Sequence, residues 1–471
     1  MAQIHNLETL KNGGYKGTGP TTLKLTCPLD SFPLEILQLG DTLTQLDLSG
    51  TGLSSLPSNF GSSLPNLKIA FFSNCNFTTF PPELSTCPNL EMIALRSNRM
   101  TSIPENSLPP NLRWLILTDN LLPSLPDSIG SCHRLQKCML SGNLLTSLPL
   151  SLSSCLNLSL LRLSANKFQS LPSWLFKLPS LAFLSFAGNP CSTPSGTRTP
   201  FTLQHIPYSS LKIHSPPLGS GASGIISRAS WEQSPSYSEE VAIKLFRGHL
   251  TSDGTPADEM AACIAAGNHE SLITVLGKID DFPHDHNEVG GIVMQLIPQE
   301  DYKVLGLPPS MESCTRDTFS DEIKGLKWDT GCVLAMLTGL AGAAGHLHQR
   351  GINHGDLYAH NVLAWKAGQH ALLGDFGAAT VYGTGKEEEY DGLEKLEVLA
   401  FGWLVEDMIG LLVDEEEEGP EEREMRKGLQ SLKERCTVKN VEDRPSFEEI
   451  VEELEGMVGW RGMMRIPTIP N

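Results

Sequence analysis

The chain has 471 residues, a length that suffices for two or three domains. Hydrophobic residues make up 40% of it, which is ordinary for globular domains that bury full cores. Its charge is uneven: residues 1–210 hold 13 Lys plus Arg against 10 Asp plus Glu, and the remainder holds 22 against 44. The acidic second half repels phosphate backbones, so we expect no nucleic-acid partner.

The N-terminus lacks the basic start and apolar run of a secretory signal, and no apolar run reaches the roughly 18 residues that a membrane span needs. We therefore expect a soluble, cytoplasmic protein. The 11 cysteines include no C-x-x-C pair, which predicts reduced, mostly buried thiols rather than a disulfide framework or a zinc site.

A repeated leucine pattern occupies the first half of the chain. The frame L-x-x-L-x-L-x-x-N recurs every 22 to 24 residues and opens at Leu43, Leu67, Leu90, Leu112, Leu135, Leu158 and Leu181. It resembles leucine-rich repeats, in which stacked units share one core behind a short parallel strand each. We predict an α/β repeat solenoid over residues 23–191, with Thr51 and Cys75 replacing the frame's Asn in the first two turns.

The concave face of such a solenoid carries the side chains that alternate outward along each strand. In the middle of the series these side chains are apolar, and they include Phe71, Met92, Trp114, Ile116 and Met139. A contiguous exposed apolar surface usually marks a partner site. We predict that a protein substrate or regulator docks there; the alternatives are a looser local register and coverage by the chain's own second domain.

Residues 192–217 are rich in Ser, Thr and Pro and predict a linker into the next domain.

A second sequence pattern follows this linker. Asp356 with Asn361 five residues later, followed by the Asp-Phe-Gly turn at Asp375, resembles the catalytic loop and metal-binding turn of protein kinases. The resemblance implies an α+β two-lobed protein kinase fold over residues 218–465 that uses ATP and Mg²⁺. In that family the loop Asp is the base, and the Asn and the second Asp hold magnesium.

The nucleotide site is predicted from a glycine-rich segment and a following lysine. A lone G-x-G-x-x-G also occurs in dinucleotide-binding domains, but there a helix follows directly, whereas here an apolar strand pattern leads to Lys244. The resemblance implies that Lys244 contacts the phosphates and pairs with Glu259, or alternatively with Asp258. The implied nucleotide-binding residues are Leu218, Gly219, Ser220, Gly221, Gly224, Ile226, Ala242, Lys244, Met294, Gln295, Ile297 and Leu363.

The second half also departs from the kinase pattern. No Ala-Pro-Glu follows Asp375, Gly355 replaces the usual Arg, Tyr358 stands where Ser/Thr kinases place Lys, and Glu397 stands where Asp is usual. The segment around Arg444 nevertheless resembles the closing helices of tyrosine-kinase-like domains.

These observations predict a leucine-rich-repeat protein kinase that phosphorylates protein hydroxyls, with Ser/Thr favoured over Tyr. The shortened platform after Asp375 keeps two alternatives open. One is a pseudokinase scaffold whose repeats bind a partner, and the other is phosphorylation of a small molecule.

Overall fold

The computed structural model describes residues 4–15, 19–192, 203–281, 288–384, 390 and 392–458. By internal contacts they form two compact units. The first holds the described residues up to Leu181 together with Gly188–Cys191, and the second holds Ala182–Ala187 and the described residues from Ser192 onward.

The first unit is built on parallel strands of three residues each. The strands are β1 Thr22–Lys24, β2 Gln45–Asp47, β3 Ile69–Phe71, β4 Met92–Ala94, β5 Trp114–Ile116, β6 Lys137–Met139 and β7 Leu160–Arg162. Each strand pairs in parallel with the next, with the middle residues opposite one another. The seven frame-opening leucines are all fully buried, as a stacked core requires.

Short helices lie before, between and after the strands of the repeats. The α-helices are α1 Leu7–Lys11 and α2 Phe60–Ser63, and the 3₁₀ helices are Leu34–Leu39, Pro82–Thr86, Asp127–Ser131, Leu150–Ser154, Ser173–Lys177 and Pro190–Ser192. Four of these 3₁₀ helices begin directly after the proline that closes a frame. That proline is the N-cap residue in an extended conformation, where its fixed φ fits and no helical hydrogen bond needs its missing N–H.

The Asn position of the frame ties successive repeats together. The Nδ2 of Asn120 donates to the backbone O of Leu95 at 3.0 Å, and its Oδ1 accepts from the backbone N of Met100 at 2.9 Å. In the second turn Cys75 takes over the donor role, since its Sγ lies 3.3 Å from the backbone O of Leu48. A thiol can therefore replace the amide in this ladder.

The second unit contains one larger and two smaller sheets, and it also holds β8 Phe183–Ser185, which lies outside these three sheets. The strands of the three sheets are β9 Gln204–Pro207, β10 Leu211–Ile213, β11 Gly219–Ser220, β12 Gly224–Ser234, β13 Tyr237–Arg247, β14 Val275–Asp280, β15 Glu288–Gln295, β16 Tyr302–Val304, β17 Ile352–Asn353, β18 Val362–Trp365, β19 Ala371–Leu373 and β20 Thr380–Val381. The larger sheet has the order β10, β12, β13, β15, β14, β9, with β11 paired to β12. The orders β16, β18, β19 and β17, β20 make the smaller sheets.

Helices complete this unit. They are α3 Pro256–Ala266, α4 Asp321–Lys324, α5 Thr330–Gln349, α6 Leu393–Ile409, α7 Pro420–Cys436 and α8 Phe447–Val458, with 3₁₀ turns at Tyr208–Ser210, Ala359–Asn361, Glu415–Glu417 and Val441–Asp443. Among the described residues α5 alone is long and apolar enough to cross a membrane, and 61% of its most apolar stretch is buried inside the fold.

Residues 204–213 lie within the segment that the sequence predicts as a linker, yet they form two strands of the larger sheet. β9 pairs in parallel with β14, and β10 pairs antiparallel with β12. Ile206 is fully buried, and a Cβ on Gly277 would lie 2.5 Å from its Cδ1, so the two strands pack closely. A few apolar residues among Ser, Thr and Pro are enough to complete a sheet edge.

Candidate active site

The glycine-rich segment forms a tight antiparallel hairpin of β11 and β12. The backbone N of Gly221 donates to the backbone O of Gly224 at 2.9 Å. A Cβ on Gly224 would lie 2.2 Å from the backbone O of Leu245, so this glycine is required by packing. Cβ atoms on Gly219 and Gly221 would meet nothing within 4 Å. Those two glycines leave open backbone that a ligand can approach.

Lys244 lies on β13 and forms an ion pair with Glu259 of α3. The side chain of Glu259 is 1% exposed and that of Lys244 12% exposed, so the pair is largely shielded from water. Burial works to lower the pKa of Lys244, but the carboxylates of Glu259 and Asp375 outweigh it and raise that pKa above its usual value. Asp258 instead accepts a bond from Thr255 Oγ1 at 2.6 Å, next to the helix cap.

Asp356 and Asn361 lie together in the loop between β17 and β18. The Nδ2 of Asn361 donates to the backbone O and to Oδ2 of Asp356, both at 2.8 Å. The backbone O of Asn361 accepts from the backbone N of Gly374 at 2.9 Å. These bonds bring the loop against the turn that carries Asp375.

Asp375 itself has a φ of +51°, in the left-handed region. Its Oδ1 accepts from the backbone N of Gly377 at 3.1 Å, a local bond that helps an Asp to tolerate this conformation. Phe376 is buried and packs on His354, whose ring centroid is 5.2 Å away. The Nε2 of His354 lies 3.0 Å from the backbone O of Gly374. The aromatic contact thus fixes the turn to the start of the catalytic loop.

Glu397 of α6 anchors the same loop through its carboxylate. It accepts a hydrogen bond from the backbone N of Gly355, and its Oε2 lies 2.8 Å from Nε2 of His348. Burial works to raise the pKa of Glu397, but the hydrogen bond with His348 and the bond from the backbone N of Gly355 help to lower it below the usual range. An ionised carboxylate at this buried position therefore holds the backbone next to Asp356.

His360 is a neighbour of the site that the sequence analysis did not single out. Its Nδ1 lies 2.8 Å from Oδ1 of Asp317, its backbone N donates to Oδ2 of the same carboxylate at 2.7 Å, and its Nε2 lies 3.9 Å from Oδ2 of Asp356. Burial works to lower the pKa of His360, but the bond to Asp317 and the carboxylate of Asp356 raise it. The sequence signal for this residue is a histidine that lies between Asp356 and Asn361.

The residues expected around the adenine lie on four strands and in the segment after β15. Ala242 on β13 is directly opposite Met294 on β15, and both are buried. Ile226 on β12 is opposite Lys244, and Leu363 lies on β18 opposite Val304. The backbone N of Gln295 is engaged with the backbone O of Thr274 at 3.0 Å. Ile297 follows in the half-buried segment after β15.

The donor set fits a hard divalent cation beside a polyphosphate. Asn361 offers an amide oxygen and Asp375 a carboxylate, which are ligands that Mg²⁺ prefers. Lys244 supplies a positive charge, and the carboxylate of Asp375 helps to raise the pKa of its ammonium group. Asp356 adds a carboxylate that is about one-fifth exposed, so it can reach a substrate hydroxyl.

Comparisons with protein-family models give two matches. Residues 213–409 match the protein tyrosine and serine/threonine kinase model, and residues 42–63 match the leucine-rich repeat model. The search of curated proteins found no matching relative. The kinase match spans the strands and loops that carry every residue discussed above, and it ends with α6. By these matches the chain carries a leucine-rich repeat at residues 42–63 and a protein tyrosine and serine/threonine kinase domain over residues 213–409.

Proposed function

We propose that this protein transfers the γ-phosphate of ATP to hydroxyl groups of protein substrates, on Ser or Thr rather than Tyr. One observation carries the proposal. The ion pair of Lys244 with Glu259 is formed at the same time as the bond between Asn361 and Asp356, and the charge of Asp375 acts on Lys244. Phosphoryl transfer depends mainly on such prior positioning of charges, because little covalent chemistry is left to the protein.

Each polar residue has one role in this proposal. Asp356 orients the acceptor hydroxyl and takes its proton, and Lys244, held by Glu259, contacts the phosphates. Asn361 and Asp375 hold Mg²⁺, which when bound neutralises negative charge on the phosphates. The bond from Asn361 keeps the Asp356 carboxylate oriented before substrate arrives.

The nucleotide is proposed to lie under the β11–β12 hairpin. The open backbone at Gly219, Ser220 and Gly221 then approaches the phosphates, with Leu218 and Gly224 closing the hairpin. The apolar walls of the adenine site are Ile226, Ala242, Met294 and Leu363, and the backbone at Gln295 and Ile297 borders the base. Mostly apolar pockets with a few placed polar groups are typical of cofactor sites.

The acceptor is tested by incubating the purified full chain with γ-labelled ATP, Mg²⁺ and a protein mixture, followed by phosphoamino-acid analysis. We expect label on Ser and Thr. The Lys244→Met variant is the control for contaminating kinases, because it lacks the ammonium that contacts the phosphates. Label confined to Tyr would contradict the acceptor assignment.

Two other functions are separated by the same assay. Gly355 in the catalytic loop and the short segment without Ala-Pro-Glu after Asp375 favour a pseudokinase scaffold, which would bind ATP and label nothing beyond the level of Lys244→Met. Transfer to a small hydroxyl compound but to no protein would indicate a small-molecule kinase. The complete set of Lys244, Asp356, Asn361 and Asp375 supports catalysis over the scaffold.

The repeats are proposed to recruit a protein substrate or regulator through the concave strand face. Phe71, Trp114, Ile116 and Met139 are half-buried there, while Met92 is 9% exposed. Lys137 lies over the Trp114 ring at 4.3 Å, and it is only 4% exposed. A partner with apolar side chains suits this surface.

A further inference from the structure

The six residues Ala182–Ala187 belong by contact to the second unit, although the sequence places them in the last turn of the leucine frame. They include β8, and every one of them is buried. Their contacts within the second unit fall on the catalytic loop and on the segments on both sides of the active site.

The first set of contacts is with the catalytic loop. The ring of Phe183 stacks on the ring of Tyr358, with centroids 3.8 Å apart and planes 9° apart. Tyr358 in turn stacks on His360 at 4.9 Å, so three rings form a column that ends beside Asp356. The Nδ2 of Asn353 donates to the backbone O of Leu184 at 2.7 Å. The same short segment thus contacts the loop at its start and at Tyr358.

Gly355 shows how closely the backbones approach. Its φ is +73°, and a Cβ there would lie 2.7 Å from the backbone O of Leu184 and equally close to that of Ala378. No side chain fits at this position beside the carbonyls of Leu184 and Ala378. The backbone of the Ala182–Ala187 segment therefore fills the space beside the residue that precedes Asp356.

The second set of contacts is with the neighbouring elements. The backbone N of Phe186 donates to Oγ1 of Thr380 on β20 at 3.0 Å, and the Phe186 ring lies 5.4 Å from that of Tyr390. Ser185 Oγ donates to the backbone O of Asp253 at 3.2 Å, just before α3. One segment therefore contacts the catalytic loop, the strand after the Asp375 turn and the approach to the helix that carries Glu259.

We propose that the Ala182–Ala187 segment positions the catalytic loop, with Phe183 as the principal positioning residue. This inference rests on the proposed kinase function for its effect on rate. Because Gly355 offers no cation to gather a phosphorylated loop, the segment keeps the site assembled through permanent packing instead. The stack on Tyr358 fixes the loop backbone from which Asp356 projects.

The test compares the full chain with its Phe183→Leu variant, which keeps apolar bulk and removes the aromatic stack. Phe168→Leu makes the same change at a fully buried phenylalanine of the first unit and is the matched control. Hydrogen exchange is followed at residues 353–361, and kcat and the KM for ATP are measured on a protein substrate.

We expect faster exchange at residues 353–361 and a fall in kcat of about 10- to 100-fold in Phe183→Leu, because small misplacements of a reacting group are that costly. The KM for ATP stays within about 2-fold, since the nucleotide contacts come from other elements. Phe168→Leu shows neither effect. Unchanged exchange, unchanged kcat or a raised kcat would overturn the proposal, and a raised kcat would identify the segment as a block on the substrate site.

Two further outcomes, an inactive wild type and an unfolded variant, are also covered. If the wild type transfers no phosphate, the proposed function fails, while the exchange rates still test the positioning contact. If Phe183→Leu does not fold, Tyr358→Leu removes the same stack from the loop side. Faster exchange at residues 182–187 in that variant supports the contact, and unchanged exchange there rejects it.

Discussion

The charge of Lys244 depends on its ion pair with Glu259. Burial alone would push Lys244 toward its neutral form, and the nearby carboxylates keep it charged. Because its pKa lies above the ordinary value, the charge is fully present below that value and is lost only as pH rises through the raised pKa. ATP affinity of the wild type should therefore stay constant between about pH 7 and pH 9.

The Glu259→Gln variant should bind ATP about 10-fold more weakly at pH 7, since burial is then opposed mainly by Asp375. Its affinity should fall further toward pH 9 as Lys244 loses its proton. Isothermal titration calorimetry at both pH values measures this. Asp258→Asn is the matched control, because that neighbouring carboxylate bonds Thr255 and leaves the pair intact. Equal affinities for Glu259→Gln and the wild type would contradict the assignment of Glu259.

The residues that could be predicted from the sequence are those with fixed spacing. Asp356, Asn361 and Asp375 belong to one short stretch, and their types name their chemistry. Glu259 was predicted with Asp258 as an alternative, because neither spacing nor charge separates adjacent carboxylates. The structure pairs Glu259 with Lys244. The contact between His360 and Asp317 joins positions 43 residues apart and leaves no periodic signal.

In the β11–β12 hairpin, Gly224 is needed for packing, whereas Gly221 is expected to be needed for ATP binding. Gly224→Ala should destabilise the second unit, because its Cβ would overlap the Leu245 carbonyl at 2.2 Å. Gly221→Ala should fold normally and bind ATP more weakly, because its Cβ has room in the protein but would meet the phosphates. Thermal unfolding and ATP titration of both variants check this. Normal ATP affinity in Gly221→Ala would place the phosphates elsewhere.

A second prediction concerns the anchoring of the catalytic loop by α6. The pKa of Glu397 lies below its usual range, so its contribution to stability is present above the ordinary Glu pKa and is lost as pH falls through the depressed value. Glu397→Gln should lower the unfolding free energy of the second unit by about 2 kcal/mol at pH 7, since it removes a charged acceptor from the Gly355 N–H and from His348.

The difference between Glu397→Gln and the wild type should narrow as pH falls below the ordinary Glu pKa of about 4.3, and it should be lost once pH passes the depressed pKa of the folded protein. Urea unfolding at pH 7 and at acid pH measures it. Glu455→Gln, an exposed position on α8, is the control for the loss of one negative charge. A difference that does not depend on pH would mean that Glu397 acts through packing alone.

The elements differ in how well the sequence predicts them. The leucine frame predicts β2 to β7 in register, since every repeat needs the same buried positions to stack. β9 and β10 escaped prediction, because each is only three or four residues long and lies in a Ser-, Thr- and Pro-rich stretch. Short edge strands gain their stability from the sheet that they join and not from their own pattern.

At the scale of the whole molecule, the chain joins a nearly neutral repeat half to a strongly acidic kinase half. The two classes of domain could be predicted from sequence, and the family comparisons confirm both. The assignment of Ala182–Ala187 to the second unit could not be predicted, because these residues obey the leucine frame. The leucine frame predicts which side chains are buried, but it does not predict which part of the chain covers them.

The repeats carry the molecule's predicted partner surface. Phe71→Ser on β3 should abolish capture of a protein partner in a pull-down with the full chain, because apolar contacts at the centre of an interface dominate its affinity. The repeat fold should persist, since Phe71 is only half-buried. Leu150→Ser changes an apolar side chain that is 69% exposed on a 3₁₀ helix and is the matched control. Equal capture by Phe71→Ser and wild type would remove this face from consideration.

Mg²⁺-dependent transfer of the γ-phosphate by the purified full chain beside its Asp356→Asn variant, with ATP affinity measured for both, tests the proposed kinase function most directly. We expect transfer by the wild type, a loss of at least about 100-fold in the variant, and ATP affinities within about 2-fold of each other, because the base acts on the acceptor and not on the nucleotide. ATP binding by both proteins with transfer by neither would contradict it and leave a nucleotide-binding scaffold.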